Sequence, residues 1–291
     1  MPSQRTDTQE LLTDLFAELA AMPTPTLAAV AYSGGTDSAF LLAAASRALG
    51  ADRVVAVTAV SASLAPAELT RAAEFAAGLG VRHLTPASAE LSRPGYVANS
   101  PARCFHCKTE VIDVVHRAAS ELAADVIVMT GTNADDLREL HRPGIVAARR
   151  LGAITPLRNL TKAQVREASR QWGLDTWDKP AQACLASRLA YGVTVTADAL
   201  MRVNRAESAL RDVFAARGWA VVHLRVRDLG EDAARIEVDL PRVPAVAADP
   251  AVVDAVRAVG FTQVSVDPRG FRSGSLNDGL AGAAVPPLLP Q

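Results

Sequence analysis

The sequence predicts an α/β protein: a parallel sheet with helices on both faces, followed by a smaller C-terminal α+β domain. Three observations predict it. Apolar runs of strand length alternate with helical patterns from Thr26 to Asp136. Glycine or proline punctuates most of the changeovers. Beyond Val193 the texture changes, because two strand-like runs follow one another without a helix between them.

The elements follow in order. An acidic amphipathic helix opens the chain, and "TLAAVAYS" (Thr26 to Ser33) reads as a buried strand. It breaks at Gly34-Gly35 and passes into the helical "DSAFLLAAASRALG", with its terminal glycine stop. "RVVAVTAVSAS" is a second strand, and "APAELTRAAEFAAGLG" a helix with Pro66 near its start. A shorter strand, "VRHLTPAS", precedes a helix read from Lys108 and a further buried strand, "DVIVMTGTNADD". Thr161 and Gln164 form a capping-box pattern at the head of the next helix. The boundary is placed so that residues 1–192 form the first domain and 193–291 the second, with a helix, two strands, a helix and a strand in the latter.

Composition narrows the function classes. Lys plus Arg (30) nearly cancels Asp plus Glu (31), so the basic excess of a nucleic-acid binder is missing and none is expected as a partner. No segment approaches the roughly 20 apolar residues of a membrane span. The N-terminus lacks the basic start and apolar run of a signal peptide, so the expected location is cytoplasmic, where thiols stay reduced. Three cysteines, Cys104, Cys107 and Cys184, cannot all pair as disulfides, and they fall one short of a four-thiolate zinc site.

The loop "AYSGGTDSAF" sits where a strand enters a helix. Glycines there admit a ligand close to the backbone, and the helix start offers unpaired N–H groups and partial positive charge. Ser33 and Ser38 add hydroxyls, and Asp37 makes sense at a phosphate site if it holds Mg2+. The Walker A lysine is missing, and so is G-x-G-x-x-G. S-G-G-x-D-S in this position resembles the pyrophosphatase loop of the ATP pyrophosphatase (PP-loop) superfamily, which includes GMP synthetase, NAD synthetase and tRNA thiolases. The resemblance implies an adenine nucleotide alpha hydrolase-like fold and binding of ATP by Ser33, Gly34, Gly35, Asp37, Ser38, Gly131 and Asn133. It also implies cleavage of ATP between its α and β phosphates, adenylation of a substrate oxygen, and displacement of AMP by a nucleophile.

Four further stretches narrow the match: "RCFHCK", "GTNADDL…RPG", "PLRNLTKAQVREASR" and "TWDKPAQACLASRLAYG". Together they resemble the LarE family, ATP-dependent sulfurtransferases that build the nickel-pincer nucleotide cofactor of lactate racemase. The resemblance runs from about Leu11 to Asn277 and is strongest in "WDKPAQACLASR". It implies that a carboxylate of pyridinium-3,5-biscarboxylic acid mononucleotide is adenylated, attacked by sulfur and converted to a thiocarboxylate. Cys184 matches the sulfur-bearing cysteine, with Asp37 and Arg188 as further catalytic candidates. In a three-cysteine branch the thiolates are thought to hold a 4Fe-4S cluster carrying an extra sulfide, and Cys104, Cys107 and Cys184 match that set. In another branch the single cysteine surrenders its own sulfur. A small-molecule nucleotide substrate and a homo-oligomer are expected.

Other readings stay open at this stage. The CxxC could hold zinc with a distant histidine (His83, His116, His141 or His223). A tRNA thiolase shares the loop and often three cysteines, and an ammonia-using ligase would need none of them. Arg188, Arg225 and Arg227 could meet substrate carboxylate or phosphate, or pair with surface acids. Lys108 and Arg103 flank the CxxC, Trp177 reads as packing, and Arg150 departs from the acidic residue expected there in relatives.

Overall fold

The computed structural model describes residues 3–139, 142–180, 184–272 and 274–276. The elements are, in chain order, α1 (Ser3–Ala20), β1 (Leu27–Ala31), α2 (Thr36–Leu49), β2 (Val54–Val57), α3 (Pro66–Gly78), β3 (Arg82–Leu84) and α4 (Pro94–Val97). Next come α5 (Arg103–Ser120), β4 (Val126–Met129), α6 (Ala134–Arg138), α7 (Pro143–Arg150) and α8 (Lys162–Gln171). The chain closes with α9 (Ala197–Ala216), β5 (Leu224–Gly230), β6 (Ala233–Val238), α10 (Val243–Ala248), α11 (Pro250–Arg257) and β7 (Gln263–Val266). Among the described residues no helix is long and apolar enough to cross a membrane.

Two compact units divide the chain: Met1–Glu90 with Cys104–Gln182, and Leu91–Arg103 with Ala183–Gln291. A single cut at 192/193 does not describe them, because a strip from the middle of the first half belongs to the second unit.

In the first unit four parallel strands lie in the order β3-β2-β1-β4. Strands buried on both faces read as unbroken apolar runs, as "LAAVA" and "VVAV" do. Alternate residues serve opposite faces. Ala28 and Val30 join a core with Leu12, Leu15 and Leu19 of α1, Phe40 to Ala45 of α2, and Val165 and Ala168 of α8. Leu27, Ala29 and Ala31 join Ile112, Val115 and Ala119 of α5 and Ala148 of α7. This is the predicted parallel sheet with helices on both faces. An isolated parallel bridge at Val60–Ala87 prolongs the β2–β3 pairing past the strand ends, and one at Met129–Ile154 pairs the outer edge of β4.

The second unit holds a mixed sheet, β5-β6-β7, with β5 and β6 antiparallel and β6 and β7 parallel. Helices α9 and α11 pack together and against β5 and β7 respectively. The strip 91–103 is sewn in by Asn99, whose side chain donates to Ala190 O at 2.7 Å and Val193 O at 2.8 Å. Val195 N adds a bond to Val97 O at 2.9 Å.

One local expectation needed correction. The helix read from Lys108 begins at Arg103, so the CxxC lies on its first turn and not in a loop. The R-P-G stretch is the start of α7, with Pro143 at the first turn, where its missing N–H costs nothing.

Candidate active site

The strand order places a switch point between β1 and β4: the chain leaves β1 towards β2 and returns on its other side as β4. Ligands of open α/β sheets bind outside the carboxyl ends of strands at such a point. The loops following β1 and β4 do meet there, around a cavity of about 200 Å³. Ser33, Gly35, Asp37 and Ser38 line it from one side, and Thr130, Gly131, Thr132 and Asp136 from the other. Lys108 of α5 completes the lining. Gly131 is required by this approach, since a Cβ there would stand 2.8 Å from Ser38 N and 2.9 Å from the Asp37 carbonyl carbon.

The lining combines groups that could hold an anion with a carboxylate that could hold a cation. Helix α2 has Gly35 at its N-cap, with no side chain to cap its first N–H groups, which are therefore available to a ligand. Ser33 Oγ and Ser38 Oγ lie 3.1 Å apart, and Ser38 Oγ also donates to Gly35 O. Asp37 Oδ1 and Asn133 Nδ2 are both buried and form no hydrogen bond of good geometry, although Asn133 lies near enough to Asp37 to favour its ionised form. Such under-satisfied atoms are costly unless a ligand satisfies them. Burial pushes the Asp37 carboxyl above its ordinary range, while Lys162, Asn133 and Arg166 oppose the rise. The donor set fits Mg2+ held by Asp37 beside a polyphosphate.

Five of the seven predicted nucleotide-binding residues line this cavity: Ser33, Gly35, Asp37, Ser38 and Gly131. Gly34 and Asn133 stand behind it. Gly34 carries φ +71° and turns its carbonyl to Lys179. Asn133 is fully buried and caps α6, its Oδ1 accepting from Asp135 N and Asp136 N at 3.0 Å each, with Asp136 closing the capping box.

Cys104 and Cys107 stand one helical turn apart at the start of α5, the first exposed and the second half-buried. None of the three cysteines is in a disulfide. Gly144 of α7 packs on the Cys104 carbonyl and on Lys108. Burial lowers the Lys108 ammonium below the ordinary lysine value, and the Cys107 sulfur pulls it back up. Arg142 sits in the electrostatic reach of Cys104 and pairs with Asp136 at 2.9 Å and Glu139 at 2.6 Å. Thiols flanked by cations suit thiolate ligands. Arg150 lies 6.0 Å over the Phe105 ring. Within each unit, among the described residues, no three His, Cys, Asp or Glu side chains gather as a metal set. The zinc reading with His141 involves a residue outside the described ones.

Cys184 belongs to the second unit, exposed at the head of a 3-10 turn, Leu185–Arg188. Two buried arginines hold this turn. Arg188 binds Glu207 of α9 with both arms, Nε at 2.8 Å and Nη2 at 3.1 Å, and donates Nη1 to Cys184 O at 3.2 Å. Arg227 of β5 donates to Ser187 O at 2.7 Å and grips Glu237 of β6 at 3.0 and 2.8 Å. Both arginines are therefore engaged inside the unit, neither surface-paired nor bare. Arg103 donates to Ala186 O at 2.8 Å. Arg225, also buried, is pushed down to about 10 by burial and by the neighbouring Arg188 and Arg227 charges, with Glu207 opposing.

No family model matches the chain. An uncharacterized protein of Synechocystis is 39% identical over 255 residues, covering 86% of this chain and 91% of that protein. A pyridinium-3,5-bisthiocarboxylic acid mononucleotide synthase of Lactiplantibacillus plantarum is 31% identical over 262 residues, covering 88% of this chain and 91% of that protein. The chain belongs to the LarE family. An uncharacterized protein of Methanocaldococcus jannaschii is 25% identical over 180 residues, 61% of this chain and 67% of that protein.

For this LarE-family chain, sequence reading missed Glu207, Glu237 and the part played by Lys179. Glu207 left a signal: it interrupts the apolar stripe of α9 between Val203 and Leu210 while being as buried as its neighbours. Trp177, read as packing, is 40% exposed.

Proposed function

We propose that the protein is an ATP-dependent sulfurtransferase acting on pyridinium-3,5-biscarboxylic acid mononucleotide. The observation that carries the reading is the likeness over 91% of the Lactiplantibacillus plantarum synthase, joined to an S-G-G-x-D-S loop at the sheet's switch point. A carboxylate oxygen of the substrate attacks the α-phosphorus of ATP; pyrophosphate leaves, and an acyl-adenylate forms. A sulfide-level nucleophile then adds to the acyl carbon, AMP departs, and the thiocarboxylate remains. Ser33, Gly35 and Ser38 would bind the departing pyrophosphate, and Asp37 would hold the Mg2+ that neutralises its charge. Arg188 and Arg227 hold the Cys184 turn by its backbone carbonyls, so that the thiol is presented from a rigid base.

Cys104, Cys107 and Cys184 would hold the 4Fe-4S cluster, which, when bound, supplies an open iron site able to carry the transferable sulfide. The nearby Lys108 and Arg142 fit the negative charge of the thiolates. The deciding experiment is anaerobic purification with measurement of iron and acid-labile sulfide per chain. About four irons, lost in Cys104→Ala, Cys107→Ala and Cys184→Ala alike, support the reading. Iron-free active protein, in which Cys184 loses hydrogen sulfide to become dehydroalanine in one turnover, would replace it with a sacrificial donor. Copurifying tRNA and loss of tRNA thiouridine on deletion would replace the substrate.

A further inference from the structure

The glycine loop is held from behind by a segment that the reaction above does not use. Residues 176–180 run as a strap across it within the first unit. Thr36 Oγ1 donates to Thr176 O at 2.7 Å, and Arg166 donates to Trp177 O at 3.1 Å and Lys179 O at 2.7 Å. With the strap fixed at three carbonyls, Lys179 sends its Nζ to Gly34 O at 2.8 Å and to Glu68 Oε2 of α3 at 2.6 Å. Both side chains of that ion pair are only 12% exposed.

The Gly34 carbonyl and the Gly35 N–H belong to one peptide group. That group is planar and trans, so its C=O and N–H point in opposite directions. Pinning the carbonyl therefore aims the N–H. Two successive glycines give the plane little preference of its own, and Gly34 already sits at φ +71°. Gly35 lines the cavity and opens α2 without a side-chain cap. A carbonyl flipped into the cavity would present negative charge where phosphate has to bind.

We propose that Lys179 is a positioning residue that locks the Gly34–Gly35 peptide plane, aiming the Gly35 N–H at the phosphates of the nucleotide. The inference rests on the ATP reading above and names a residue outside the cavity as a determinant of it. Glu68 is the second half of the lock, because it fixes the ammonium against the carbonyl. A lysine that instead reached the phosphates directly would be restrained by Glu68, and freeing it would strengthen binding.

The test uses the full-length protein, with calorimetric titration of Mg-ATP and amide hydrogen exchange of residues 33–38 without nucleotide. Lys179→Met is expected to speed exchange in the loop and to weaken Mg-ATP by about tenfold or more. Glu68→Gln is expected to act in the same direction, and Lys179→Arg to recover part of both effects, which a general loss of stability would not do. Unchanged loop exchange in Lys179→Met and Glu68→Gln, or tighter Mg-ATP in Glu68→Gln, overturns the lock. If Lys179→Met does not fold, Glu68→Gln and Lys179→Arg decide alone. Wild-type protein that ignores Mg-ATP, while Lys179→Met still speeds exchange, would sink the nucleotide reading and leave the plane lock standing.

Discussion

The glycine loop of the first unit and the Cys184 turn of the second are built on opposite electrostatic plans. Around the loop, polar atoms are buried and under-satisfied: Asp37 Oδ1 and Asn133 Nδ2 form no hydrogen bond of good geometry. Around the turn, Arg188 and Arg227 each meet a buried glutamate with both arms and spend a further N–H on the turn's backbone. The first arrangement is unfavourable until something binds. The second is complete as it stands, and its work is to hold a peptide segment still. The proposed ligand site and the proposed thiol-presenting turn thus differ in where their hydrogen-bonding capacity is left open.

The comparison breaks most sharply at Glu237. Its carboxylate serves Arg227, Arg235 and Ser275 with no exposure of its own. Glu237→Ala should destabilise the protein by about 3–5 kcal/mol, since one partner of a buried pair is left charged; denaturant unfolding measures it. Unfolding unchanged within error would mean that the pair is not a fastening. Gly131→Ala comes next. The added methyl group meets backbone, which cannot rotate away, so roughly 1–3 kcal/mol of strain is expected. Mg-ATP-dependent turnover should fall on the order of 100-fold from a displacement near 1 Å. An alanine variant with normal turnover would show that the two loops do not need their close approach.

Asp37→Asn sharpens the contrast because its two effects have opposite signs. Removing a buried charge that has no ion-pair partner should retain or add stability, by about 1 kcal/mol, while activity falls if Asp37 holds the proposed Mg2+. Thermal unfolding with and without Mg-ATP reads both, and a destabilised variant would mean that Asp37 is structurally paired. The smallest effect lies in the second unit at Asp239. Burial would raise this carboxyl, but bonds from the His223 ring and from Val222 and His223 N–H bring it below the usual carboxylate value. A depressed native pKa contributes stability that is present above the ordinary carboxylate value of 3.8 and is lost as pH falls through the native one. Asp239→Asn should therefore lower the neutral plateau of a stability-versus-pH curve slightly and flatten its acid limb, the variant and the wild type converging below the native pKa.

How much of this the sequence discloses depends on how local the cause is. The sheet was legible because runs such as "LAAVA" and "VVAV" must be buried on both faces wherever they lie. The Thr161–Gln164 capping box was legible because its two partners are three residues apart, and both of its bonds are formed. The start of α5 was missed because the CxxC drew attention as a ligand pair, and ligand pairs are compatible with loop or helix. Glu207 and Glu237 were out of reach as arginine partners, since they lie 19 and 10 residues away and only packing chooses among many acids. Of the glycine loop, the residues touching the cavity could be named from their types, whereas the strap behind it depends on a contact spanning 145 residues.

The interleaving of the two units has a consequence for how the polypeptide is made. The chain leaves the first unit after residue 90, contributes 91–103 to the second, and returns at 104. During synthesis from the N-terminus, Asn99 is therefore made long before Ala190 and Val193, the carbonyls that receive its amide. Meanwhile β4, which borders the cavity, follows the excursion and completes a sheet begun before it. Neither unit is encoded as an unbroken message, and the strip 91–103 must wait for residues 183 onward before its own unit can close. A C-terminal truncation anywhere before residue 182 removes part of both.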